Sequence, residues 1–117
     1  MLNASRLCLA HLWVAFAAFA VAAVLGTWQM WVRSPLGAHV GTPGQYFMSV
    51  TAHGVSMAYV LSTFFIMGFG YFVATTSLSR PLPGLAWAWL GFWSGLVGVV
   101  MAVVPIITGK ASVLFTF

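Results

Sequence analysis

Three imidazoles in this sequence, those of His11, His39 and His53, could ligate a metal ion or exchange a proton near neutral pH. The chain contains no aspartate or glutamate. Paired-carboxylate catalysis, carboxylate proton relays and all-oxygen cages for hard cations therefore cannot be built from it. Its single cysteine, Cys8, allows no internal disulfide. Of the three histidines, His53 holds the most demanding position. It is the one ionisable group of its kind in residues 46–73, YFMSVTAHGVSMAYVLSTFFIMGFGYFV, a long apolar run without a charge. An ionisable group at hydrocarbon depth is costly to keep there and marks a functional site by default. Neutral imidazole is a common metal ligand and a frequent axial ligand of haem iron. Gly54, Ala58 and Ser62 recur at every fourth residue beside it, a stripe of small side chains that admits a flat ligand or another backbone. A histidine hydrogen-bonded to a neighbouring helix is the alternative, and spacing does not choose between the two.

The elements that carry His53 follow from composition. Of 117 residues, 62% are hydrophobic and 3% charged, against about 25% charged in a soluble domain. Such a chain cannot present a solvated surface, so it lies in a membrane. Its four cations are scattered at the ends of apolar runs, which is not the pattern of a nucleic-acid-binding surface. Helices are expected at about residues 7–32, 45–77 and 85–108. The first is too long and too continuous for the core of a cleaved signal peptide. RSPLGAHVGTPG, residues 33–44, is a loop rich in proline and glycine, after which Thr42-Pro43 opens the second helix. Gly68 and Gly70 are expected to loosen that helix at its far end. RPLPG, residues 80–84, is a tight turn that makes the second and third helices antiparallel. Gly91, Gly95 and Gly98 are expected to give the third helix a close-packing face, and Pro105 lies near its end. Tryptophans 28, 31, 87, 89 and 93 sit where an interfacial belt is expected. Two cations fall on each side, so charge does not orient the chain.

Could a second histidine complete a site with His53? His11 enters from the opposite side of the membrane and stands roughly 15 Å away in depth, so it is read as a snorkelling or interfacial residue. His39 lies in the loop and is too shallow. Met57 shares the helix with His53 and cannot reach the far side of a flat cofactor bound there; it is read as packing. Tyr46, Tyr59 and Tyr71 are read as interfacial or packing tyrosines. Thr51, Ser56, Ser62 and Thr63 are read as bonding the preceding turn of their own helix rather than holding a water chain.

The segment TAHGVSMAY, residues 51–59, resembles the second transmembrane helix of subunit I of the haem-copper terminal oxidases, which carries a Thr-Ala-His-Gly pattern with a later methionine. The likeness extends to FFIMGFGYFVATTSL, to GLAWAWLGFW at the start of the third helix and to the closing GKASVLFTF, which look like the B family of these enzymes. The first helix lacks the acidic and arginine pattern of the A family.

By that resemblance the fold is an all-α membrane protein: three antiparallel transmembrane helices forming part of a larger subunit I of twelve or more helices. Residues 1–117 would be its N-terminal fragment. His53 would be both the cofactor-binding and the metal-ligating residue, an axial ligand of a low-spin haem of b or a type. The high-spin haem and the copper of the full subunit would be held by residues not present here, and the chain carries no catalytic residue of its own. The full subunit would act as a cytochrome c oxidase-type oxidoreductase, reducing dioxygen to water in the respiratory chain and translocating protons; the 117 residues alone would be inactive. Implied partners are membrane lipid, the remaining helices of subunit I, oxidase subunit II, and cytochrome c or quinol as electron donor, with no nucleic acid. The implied location is the bacterial inner membrane. A nitric oxide reductase-like subunit of the same superfamily and a small non-enzymatic membrane protein remain as alternative readings.

Overall fold

The computed structural model describes residues 2–111, and every regular element among them is helical. Three helices follow in order: α1 (Leu2–Arg33), α2 (Pro43–Leu78) and α3 (Leu85–Ile107). All three are long and apolar enough to cross a membrane. At 1.5 Å per residue α1 and α2 are each about 50 Å long, more than a hydrocarbon core of about 30 Å, so their ends reach past it. The last six residues, which include most of the closing GKASVLFTF motif, lie outside the described residues.

The breaks between helices have local causes. Arg33 closes α1 with a cation in its last turn, where the helix carries partial negative charge. Thr42 caps α2: its hydroxyl accepts from Gln45 N–H, the Gln45 side chain accepts from Thr42 N–H, and Pro43 fills a first-turn position that needs no donor. At the other end Ser79 adopts a left-handed conformation (φ 48°), and Gly84 does so again (φ 68°) before α3 begins. Gly109 (φ 71°) terminates α3, with Lys110 N–H donating to the Pro105 carbonyl.

Neighbouring helices run antiparallel. Along α2 from His53 to Gly68, the facing residues of α1 run backwards from Ala22 and Gly26 to His11 and Cys8. Against α3, Met48 and Ala52 share a cavity with Val103 and Ile107, while Phe64 further along meets Phe92 and Gly95.

The two ends of this unit pack differently. At the end holding the start of α1, Leu7, Ala15, Phe64 and Phe92 form a buried core. His11 is inside it, 3% exposed, its ring 4.9 Å from Phe92, 5.5 Å from Tyr71 and 5.6 Å from Phe64 by centroid. Its Nδ1–H donates to the Leu7 carbonyl at 2.9 Å. The expectation of a snorkelling or interfacial His11 is therefore corrected: α2 continues far enough to wall the ring in with Phe64 and Tyr71. Nearer the middle, an apolar cavity of about 440 Å³ remains between the three helices, lined among others by Ala17, Ala18, Ala52 and Val103.

Within α2, residues Ser56–Leu61 are π-helical, and Ser62 Oγ accordingly donates to Met57 O, five residues back. Ser49 and Gly68, both buried, would stand about 100° apart around a regular helix. One extra residue absorbed by the wide turn returns them to a common face.

Glycine roles differ from expectation. Gly68 does not loosen α2; it is where α1 and α2 come closest, since a Cβ added there would lie 2.9 Å from His11 Cβ and 3.2 Å from the Cys8 carbonyl oxygen. Of the expected close-packing face on α3, Gly95 alone meets a neighbour, Phe64 Cζ at 3.3 Å from an added Cβ, whereas Gly91 and Gly98 face open space. Gly68→Ala is expected to destabilise the assembled protein by about 1–3 kcal/mol through overpacking. Gly70→Ala, which points into open space, is expected to be neutral or to stabilise by up to about 1 kcal/mol from helix propensity. Thermal unfolding of the two variants in detergent checks the opposite signs; equal shifts would mean that α1 does not rest on Gly68.

Candidate functional site

The His53 ring is held against α1. Its Nδ1 lies 2.8 Å from the carbonyl oxygen of Ala22. A carbonyl oxygen has no proton to give, so Nδ1–H is the donor and the neutral ring carries its lone pair on Nε2. A metal-binding histidine needs this form: one nitrogen fixed by a backbone carbonyl or carboxylate, the other free to ligate. Among the described residues Nε2 has no hydrogen-bond partner, and it is not sealed inside the unit.

Gly26 makes the arrangement sterically feasible. A Cβ at this position would stand 3.1 Å from His53 Cε1 and 3.3 Å from Nδ1. The carbonyl of Ala22 points along the helix toward residue 26, so the ring can reach that oxygen only by lying over residue 26, where glycine offers no side chain. Gly26 was not singled out from sequence. Its signal appears only when the antiparallel register places His53 level with it.

One turn further along α1 is Gln29. Its Nε2 is buried with no hydrogen-bond partner, a defect that ordinarily costs about 1–3 kcal/mol. Beside His53 on α2, the stripe of small residues is open: an added Cβ on Gly54 meets nothing within 4 Å, and Ala58 is exposed. The stripe is thus not consumed by packing against α1 or α3. The central cavity is separate from the ring, since His53 is not among its lining residues.

The other histidines do not join this site. His11 abuts Gly68 while His53 abuts Gly26, a separation of roughly 20 Å along the helices. His39 is exposed in the loop between α1 and α2. Among the described residues no group of three potential metal ligands comes together. The Thr51 hydroxyl donates to Phe47 O and the Ser62 hydroxyl to Met57 O, so both are engaged with their own helix. Tyr59 is 59% exposed, and Tyr71 serves as a wall of the His11 pocket.

The site therefore offers one oriented imidazole nitrogen and an open small-residue surface beside it. These features fit a flat, mostly apolar metallocofactor that takes one axial ligand from this chain.

A family model described as cytochrome c and quinol oxidase polypeptide I matches residues 6–117. Cytochrome c oxidase subunit 1 of Thermus thermophilus is 34% identical over 73 residues, which are 62% of this chain and 13% of that protein. The chain thus spans a small part of the length of the relative it matches. No solved structure matches.

Nitrogen NMR of isotope-labelled histidine is expected to report His53 as the Nδ1–H tautomer, with Nε2 unprotonated when no metal is bound. Gly26→Leu is expected to break the bond to Ala22 and abolish that preference. A dominant Nε2–H tautomer in the unsubstituted chain would contradict the site geometry.

Proposed function

The chain belongs to the cytochrome c and quinol oxidase polypeptide I family, and from that membership we propose that His53 is an axial ligand of a low-spin haem in a haem-copper oxidase subunit I. The observation that carries this reading is the Nδ1–H bond to the Ala22 carbonyl, which supports a free, aimed lone pair on Nε2. Ala22 holds the ring proton at Nδ1 and keeps the ring from rotating. Gly26 leaves room for the ring edge, and the open Gly54–Ala58 surface accommodates a flat neighbour. When bound, haem supplies one-electron redox chemistry. The protein around it excludes water and fixes ligand orientation.

In this reading residues 1–117 are three helices of a longer subunit of the B-family type, in keeping with the small fraction of the Thermus relative that they match. The full subunit reduces dioxygen to water and translocates protons, with oxidase subunit II and lipid as further partners. The relative's name favours cytochrome c over quinol as the electron donor. The high-spin haem and copper are held by residues elsewhere in the full subunit, so the 117 residues alone are inactive. A bacterial inner membrane is the proposed location, as the relative comes from a bacterium.

In the assembled subunit, His53→Ala is expected to remove the low-spin haem absorption band and with it oxidase turnover, while bound high-spin haem persists. A low-spin band of undiminished intensity would place the ligand on another residue.

A further inference from the structure

We infer that the end of the molecule opposite His53 holds one anionic phospholipid, with its phosphate on Arg80 and its two acyl chains in two grooves that meet there. The inference does not depend on the haem reading. The first groove, of about 490 Å³, runs between the start of α1 and the end of α2. Because these helices are antiparallel, rising numbers on α1 and falling numbers on α2 both lead into the membrane. Leu9, Leu12 and Phe72 therefore line its deeper part, and Thr76, Ser79 and Arg80 line it toward the surface. The second groove, of about 440 Å³, lies between the end of α2 and the turn to α3, with Ala74, Leu78 and Leu82 among its walls. Both are bordered by Thr75, Arg80 and Pro81, so the two grooves converge on one guanidinium.

Arg80 is exposed, and it is the first cation after Arg33. It thus stands where the apolar run ends and the aqueous boundary begins. An arginine stem lies along apolar surface while its head stays at that boundary. The chain contains no aspartate or glutamate to neutralise the charge, and a guanidinium takes phosphate oxygens through paired N–H bonds. The Thr75 hydroxyl at the junction donates to the Tyr71 and Phe72 carbonyls, which leaves the cation as the recognising group. Two apolar grooves converging on one cation fit a molecule whose two hydrocarbon chains join at one anion. Free phosphate would leave both grooves empty, and a single-chain amphiphile would leave one. A zwitterionic headgroup brings an ammonium for which the chain has no carboxylate, so a net-negative headgroup is preferred. Arg6 lies at the same end of the molecule, but about 160° around α1 from Cys8, which lines the first groove. It is turned away and serves as the control.

The test uses the assembled subunit, stripped of lipid in detergent and offered phosphatidylglycerol or phosphatidylcholine, with retained lipid counted by native mass spectrometry. One phosphatidylglycerol is expected to be held in preference to phosphatidylcholine. Arg80→Gln is expected to weaken that retention about tenfold, and Arg6→Gln to leave it unchanged. Phosphatidylglycerol carrying a photoreactive group on one or the other acyl chain is expected to crosslink to Leu9, Leu12 or Phe72 and to Leu78 or Leu82. Equal retention of the two lipids would overturn the proposal, as would an Arg80→Gln variant that holds phosphatidylglycerol as well as the unsubstituted protein does. Crosslinks absent from both grooves would also overturn it and assign the grooves to other helices of the subunit. If Arg80→Gln fails to assemble, the crosslinks in the unsubstituted protein decide alone.

Discussion

One hydrogen bond between helices governs this structure: His53 Nδ1–H to the carbonyl of Ala22. A helical carbonyl already accepts from the amide four residues on, but its oxygen has a second lone pair. Reaching that lone pair from outside requires passing over residue 26, and glycine there leaves the path open. The contact fixes three things together: the register of α2 on α1, the plane of the imidazole, and which nitrogen carries the proton. Away from water such a bond is stronger than it would be on a soluble surface, and breaking it leaves two polar groups unsatisfied. Register and ring tautomer are thus one constraint, and α1 and α2 cannot slide by a turn without breaking the bond that sets both.

That register is held from the far end. Gly68 lets α2 approach α1 at His11 and Cys8, and Phe64, Tyr71 and Phe92 enclose the His11 ring. Between the two contacts lies the π-helical stretch Ser56–Leu61. A regular helix of this length would rotate its buried face away from α1 before reaching Gly68. The wide turn corrects the drift, so that one continuous helix holds Gly68 in the aromatic core and His53 over Gly26. His11, by contrast, donates to a carbonyl of its own helix and is enclosed by rings. It is a structural histidine whose polarity is absorbed locally.

The broad outline of this arrangement is legible in the sequence because it depends on composition and punctuation. Charge-free runs give the helices, Pro43 and the RPLPG turn give their breaks, and His53 stands out as an ionisable residue in an apolar run. What the sequence leaves hidden depends on pairing. Gly26 looks like any glycine near the end of a membrane helix until His53 is placed against it. Gly68 and Gly70 are two residues apart and look equivalent, yet one meets His11 and the other faces open space. His11 reads as interfacial by depth along its own helix, but its burial is decided by where α2 and α3 lie. The wide turn in SMAYVL has no compositional signal, since it is imposed by the need to keep two distant contacts on one face. Gly91 and Gly98 have the spacing of a packing motif, and spacing alone does not say which way a face turns.

The distribution of polar groups completes the argument. The hydroxyls of Thr27, Ser49, Thr51, Ser62, Thr75 and Thr108 each donate to a carbonyl of their own helix, so none can donate to a ligand without breaking a local bond. The His53 Nε2 lone pair and the Gln29 amide donor are different: one an acceptor, one a donor, both left without such a return among the described residues.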